Sequence, residues 1–184
     1  GDPATLTQRL GVVKDQQVRE RLRRGLIRRQ SFSRDGLSEL LLGDAAATRA
    51  EAAWIAGNSG DEQLASAVQN ALQRAADGWR QADERHSWEQ AGAEAQAWRA
   101  SLWAVRQLQL AVAPAARAAL ADPRHPVLVR REAIRCLAEC GDAKDSNALL
   151  QALEDVDAGV RAAASAALAR LGGEPVLQQL ERSK

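Results

Sequence analysis

Residues 125–142, HPVLVRREAIRCLAECGD, decide how the chain folds, and residues 157–173, DAGVRAAASAALARLGG, repeat the same pattern. Val129-Arg130 and Val160-Arg161 stand 31 residues apart, and Trp98-Arg99 precedes them by another 31. Eleven residues after the arginine comes Gly141 in one copy and Gly172 in the other. Arg49 reaches Gly60 by the same eleven steps, and Val18-Arg19 stands 30 residues before Arg49. Several features recurring together at a fixed period mark a repeat architecture.

Each copy reads as two helices. Val129, Ala133, Leu137 and Cys140 fall on one helical face, which gives a first helix of about three turns. Pro126 suits a first helical position, Gly141 a left-handed residue that ends the helix, and Asp142 a cap for the next one. Leu149, Leu150 and Leu153 then form the apolar side of a second helix. The following copy runs through Asp157, Val160, Ala164, Leu168 and Leu171 to Val176, Leu177 and Leu180. One such pair cannot bury its apolar face alone, whereas stacked pairs share a continuous core.

The pattern resembles the HEAT repeat, in particular the short HEAT-like variant first described in phycobilin lyases. The resemblance covers about residues 15–184. It implies an all-α fold: a right-handed α-α superhelix, or solenoid, of about five helix pairs. The units run roughly over 15–47, 48–97, 98–128, 129–159 and 160–184, with residues 1–14 a possible remnant of an upstream helix. Leu110 and Gln30 depart from the pattern, because glycine is expected at both positions. In the resembled family, Asp and Arg side chains tie adjacent repeats together. That role assigns Arg19, Arg49, Arg99, Arg130 and Arg161, near Asp15, Asp44, Asp122 and Asp157, to the fold rather than to a site. The same repeat serves lyases, enzyme regulators, adaptors and scaffolds, so the resemblance specifies architecture more than function.

The spacing from Arg49 to Arg99 is 50 residues, and the surplus falls at about residues 77–97. Leu64, Val68, Leu72, Ala75 and Trp79 keep helical spacing on one side; Trp88, Ala91, Ala95, Trp98 and Leu102 keep it on the other. Ser87-Trp88-Glu89-Gln90 has the form of a capping box. The reading is an inserted helical hairpin arm, bent near Asp83–His86 and projecting roughly 15 Å. Gly78 is its weak point, where a kink is the main alternative. Trp79, His86 and Trp88 cluster near the tip, in a chain with no Tyr and one Phe. Either the indoles pack together to close the hairpin, or they meet a partner.

The 184 residues carry 25 Lys and Arg against 24 Asp and Glu, a formal net charge of +1. That balance disfavours nucleic acid as a dedicated partner. No apolar run approaches the ~18 residues of a membrane span. Charge is nevertheless lopsided: residues 1–35 hold nine Lys and Arg against four Asp and Glu. With Val18, Leu22 and Leu26 facing inward, Arg21, Arg24 and Arg28 form a basic strip able to meet phosphates or an acidic partner. The excess of Arg over Lys and the alanine bias fit a high-GC bacterial gene. The chain has no Met, so Gly1 reads as a processing remnant. Compartment therefore stays open, with cytoplasm favoured over an exported or membrane-tethered parent.

Chemistry-bearing motifs are few. There is no Gly-rich phosphate loop, GxSxG, HExxH or CxxC. Two histidines leave little for a metal site, so neither metal nor cofactor is expected. Cys136 and Cys140 share a helical face in a geometry poor for bridging. The function expected is non-catalytic binding of another protein, as a scaffold or adaptor. Binding would use a concave face formed by the second helices, through Gln69, Gln73, Arg117, Asn147, Gln151 and Gln178, and/or the arm, through Trp79, His86 and Trp88. Two alternatives stand beside it: a HEAT-like enzyme of the bilin lyase or alkylpurine DNA glycosylase kind, and self-assembly through the arm.

Overall fold

The structure, a computed structural model, describes residues 12–13, 15–28, 32–142 and 145–171, and every regular element among them is helical. The chain divides into two compact units between Leu110 and Ala111. The first holds α1 (Gln16–Arg28), α2 (Arg34–Leu42), α3 (Ala46–Ser59), α4 (Ala65–Glu84) and α5 (Trp88–Gln107). The second holds α6 (Ala113–Leu120), α7 (Val127–Cys140), α8 (Ser146–Gln151) and α9 (Ala158–Leu171). Gln178 and the apolar run from Val176 to Leu180 lie outside the described residues.

The first unit is built on close helix contact, which its alanines permit. Ala52, Ala53 and Ala56 of α3 are buried, as are Ala97, Ala100 and Ala104 of α5. Gly57 takes this furthest: a Cβ there would lie 2.5 Å from Trp103 Cζ3 and 3.0 Å from Ala104 Cα. Arg49 meets Glu94 near one end and Gly57 meets Ala104 near the other, so α3 and α5 run parallel. Helix α4 packs along α5 as the other leg of a hairpin, with Trp79 against Trp98 at 6.0 Å between ring centroids.

Both hairpin helices are 20 residues long and meet at the turn Arg85–Ser87, within a residue or two of the expected bend. Gly78 does not kink α4. It leaves room for Glu94, whose Cδ would be 2.7 Å from an added Cβ. The capping box does not form, since the Ser87 side chain makes no cap hydrogen bond. The turn is closed from the other side: His86 N–H donates to Asp83 O (2.9 Å) and Ser87 N–H to Ala82 O (2.8 Å), with His86 left-handed at φ 56. These are the paired bonds of a Schellman motif. Gln109 (φ 54) ends α5 the same way, which is how the chain turns beside Leu110 without a glycine.

The hairpin is not a free-standing arm. Ala91, Glu94, Ala95 and Ala97 are buried, with Glu94 held on α3, and the exposed part is the end, Glu84–Gln90, where Ser87 is half-buried. The surplus residues lengthen α5 backwards along α3 instead of projecting. Arg99 accordingly stands deep within α5, and the boundary drawn between residues 97 and 98 cuts this helix.

The periodic arginine has one structural job at three of its five positions. Arg49, Arg130 and Arg161 each stand fourth in their helix. Each guanidinium folds back on the carbonyls of the preceding loop: Arg49 on Gly43 (2.8 Å) and Asp44 (2.6 Å), Arg130 on Pro123 (2.8 Å) and His125, Arg161 on Asp155 (2.7 Å) and Val156 (3.0 Å). Arg49 also binds Glu94 of α5, and Arg130 grips both oxygens of Asp155 at 2.8 Å. These buried charge-assisted bonds fix one helix start to its neighbour.

Three expectations are corrected. In α7, Cys140 is exposed and Cys136 is buried, because the buried stripe ends at Leu137; neither is in a disulfide. Gly141 follows with extended rather than left-handed backbone (φ −79, ψ 164). In α1, only Leu26 of the three apolar residues is buried, while Val18 and Leu22 are 44% and 47% exposed. The cause is electrostatic: Arg23 binds Glu51 of α3 through two hydrogen bonds (2.8 and 3.1 Å) and Arg19 lies 3.7 Å from it. That turns the arginine face of α1 inward.

Candidate functional site

The end of the α4–α5 hairpin is the most exposed aromatic feature among the described residues. Trp88, the first residue of α5, is 69% exposed. His86 lies beside it, with ring centroids 5.8 Å apart. The two Schellman bonds hold the backbone between them, so the pair is displayed on a stiff turn. Glu84, Arg85, Glu89 and Gln90 surround it as exposed polar neighbours.

Trp79 does not join this pair. Its indole is buried against Trp98, one turn and more inside the hairpin, and so is unavailable to a partner. It closes the hairpin, but with Trp98 in place of Trp88. The expected cluster of Trp79, His86 and Trp88 thus splits into a packing residue and an exposed pair.

One member of the basic strip is paired. Arg21 is exposed; Arg24 is paired with Glu20, four residues earlier on α1. That hydrogen bond, with the charge of Arg24, holds the Glu20 carboxyl below its ordinary value. The Arg28 side chain lies outside the described residues. Of the polar candidates for a concave face, Gln69 and Gln73 are exposed on α4, and Gln73 donates to Asp77 (3.0 Å). Arg117 is half-exposed and paired with Asp145, while Asn147 and Gln151 are exposed on α8. Arg117 is thereby a bracing residue of the second unit.

Sequence spacing does not single out Trp54. It lies on α3 against Trp103 of α5, with centroids 4.5 Å apart. The guanidiniums of Arg23 and Arg99 each stand 5.6 Å from its ring centroid. Arg99, read from its period as an interface arginine at a helix start, is a cation on an indole instead. The neighbours of Trp54 come from α1 and α5, both far from it in sequence, so no local spacing announces them.

Among the described residues, no group of three or more His, Cys, Asp and Glu side chains is arranged to hold a metal ion. No helix among them is long and apolar enough to cross a membrane. Residues 113–183, in the second unit, match the family described as HEAT repeats. No curated protein matches the chain.

Proposed function

We propose that this HEAT-like repeat protein is a non-catalytic module that binds another protein, and that the end of the α4–α5 hairpin is its recognition surface. HEAT repeats commonly serve as protein-interaction scaffolds, which supports the class of function. The observation that carries the surface is Trp88, an indole 69% exposed at a hydrogen-bonded turn. Burying the exposed two thirds of an indole, roughly 140 Å², recovers at most about 3.5 kcal/mol of hydrophobic free energy, so an exposed one is a strong anchor for a partner. The polar residues around it match the rim of a protein interface. Because the turn is already closed, little backbone freedom is lost on binding.

The experiment is affinity capture with the intact chain and with Trp88→Ala, which removes an exposed side chain and preserves the circular dichroism spectrum. A protein retained by the first and lost by the second supports the hairpin end. Equal retention moves recognition to another surface, with Gln69 and Gln73 of α4, or Asn147 and Gln151 of α8, as the next substitutions. Light scattering belongs beside it. A mass that rises with concentration in the intact chain, and not in Trp88→Ala, makes the partner a second copy.

A further inference from the structure

A cleft of about 540 Å³ lies where the exposed face of α4 meets α5 and the loop before α3. Its buried members are Arg49 and Glu94, ion-paired with each other. Asn70, Gln73 and Gln81 line it from α4 and Gln90 from α5, all four exposed.

The charges of this cleft are already matched. Arg49 meets Glu94, Arg74 meets Asp44, and Asp77 meets Arg80 (3.2 Å) just outside the lining. The groups left over are amides. Asn70, Gln81 and Gln90 make no side-chain hydrogen bond among the described residues, and Gln73 uses one N–H on Asp77. Each side-chain amide carries two donors and one acceptor, so donors and acceptors are open side by side. A single exposed amide is ordinarily satisfied by water; here four converge on one cleft. They also keep a pitch. Gln73, Asp77 and Gln81 stand four apart on α4, a rise of about 6 Å per step. The outward groups of an extended chain recur every second residue, about 6.6 Å apart.

We infer that this cleft binds an extended segment of a partner protein through its backbone, whose N–H and C=O groups pair with the amides of Asn70, Gln73, Gln81 and Gln90. From Asn70 to Gln81 α4 rises about 16 Å, the length of about five extended residues. A strongly acidic or basic segment fits less well, because the cleft's own charges are paired. A glycan fits less well too: the C–H face of a sugar ring needs an apolar platform, and no aromatic residue lines the cleft among the described residues. The inference rests on the protein-binding reading for its partner class. It uses neither His86 nor Trp88, and its test uses a peptide rather than partner capture, so the two can fail independently.

The probe is a nine-residue Ser/Thr peptide with acetylated and amidated ends, titrated into the full 15N-labelled chain. The control is the same peptide N-methylated at every second residue, which keeps its side chains and loses those N–H groups. The first shifts the side-chain amide signals of Asn70, Gln73, Gln81 and Gln90 saturably, with a Kd of about 1 mM or tighter, and the second does not. Asn70→Ala with Gln81→Ala removes two amides that hold nothing within the chain and raises helix propensity, so the fold stays intact. With Gln90 as the reporter, this pair weakens binding by about tenfold or more. Gln96→Ala, an exposed amide of α5 outside the lining, leaves the affinity within about twofold. Absence of a saturable shift overturns the inference, as does equal binding of the N-methylated peptide or indifference to the double substitution. Binding lost at about 0.5 M salt would assign recognition to the charges instead. Equal or tighter binding of a neutral glucose oligosaccharide at the same signals would make the cleft a glycan site.

Discussion

In the α7–α9 pair, Arg130 clamps its own helix start and reaches Asp155, 25 residues on, in the loop before α9. In the α3–α5 pair, Arg49 clamps its own helix start in the same way but reaches Glu94, 45 residues on and inside α5. Both pairs are buried to a similar degree. The difference is where the carboxylate stands in the second helix. Asp155 precedes α9, so that helix begins level with its neighbour's clamp. Glu94 lies in the second turn of α5, so that helix extends further back and carries Trp88 out with it. An irregularity in the repeat thus becomes an exposed aromatic residue.

Removing the irregular carboxylate has the largest expected effect. Glu94→Ala leaves the buried Arg49 guanidinium without its counter-charge, and breaking such a pair costs about 3–5 kcal/mol. Urea unfolding reads the loss, and Glu94→Gln, which keeps a hydrogen-bond acceptor, loses less. A cost for Glu94→Ala below about 1 kcal/mol, the range of exposed ion pairs, would remove Glu94 as the residue that sets α5 on α3.

Two glycines sharpen the comparison. Gly57→Ala drives a methyl into Trp103 and the α5 backbone, and overpacking of this kind costs about 1–3 kcal/mol. Gly159→Ala meets only side-chain ends, Arg131, which can swing away, and Asp157 Oδ1 at 3.1 Å, which must give by a few tenths of an ångström, and it gains helix propensity. It is neutral or stabilising by up to about 1 kcal/mol. Equal losses at the two positions in thermal melts would erase the distinction between a close helix contact and an ordinary one.

The sequence made the repeat legible because the clamp arginine and the glycine eleven residues on are local features with local causes. It misplaced Arg99, because a residue at the right period can do a different job once a helix is extended. The signal for the extension was present in the continuous stripe Trp88, Ala91, Ala95, Trp98 and Leu102, which has no break for a helix start at residue 98. The inward face of α1 was illegible for another reason. Val18 and Leu22 give the apolar stripe, but Glu51, on a different helix, decides which side turns in. Trp54 and its arginines are assembled from three helices, and only the packed structure brings them together.

Acid probes the α7–α9 pair through Asp155. Burial raises the Asp155 carboxyl, but the hydrogen bond from Arg130, the Asp157 N–H and the charges of Arg130 and Arg161 outweigh it, leaving Asp155 below its ordinary 3.8. Asp122, held by the Arg124 side chain and backbone, is lowered to about 2. A depressed carboxyl stabilises the fold fully above its unfolded value and loses that contribution as pH falls through its folded value. Asp155→Asn therefore destabilises the chain at neutral pH, and the gap to the unsubstituted chain narrows as pH falls below 3.8. A gap that stays constant from neutral to strongly acid pH would show that Asp155 acts through shape rather than charge.

The smallest expected effect bears most directly on function. Gly60, His86 and Gln109 all adopt left-handed backbone at helix ends, and only the first is a glycine. A side chain in that region costs roughly 1 kcal/mol relative to glycine, partly offset because glycine also loosens the unfolded chain. His86→Gly and Gln109→Gly are each expected to stabilise by up to about 1 kcal/mol in thermal melts. The two then part in binding. Gln109 lies at the far end of α5 from Trp88, so its replacement leaves partner capture unchanged. His86→Gly removes the ring beside Trp88 and weakens capture in the same direction as Trp88→Ala, in a protein that has become more stable. Loss of capture with a gain in stability assigns the imidazole to recognition. Unchanged capture would confine recognition at this turn to the indole and make His86 only a strained way of closing it.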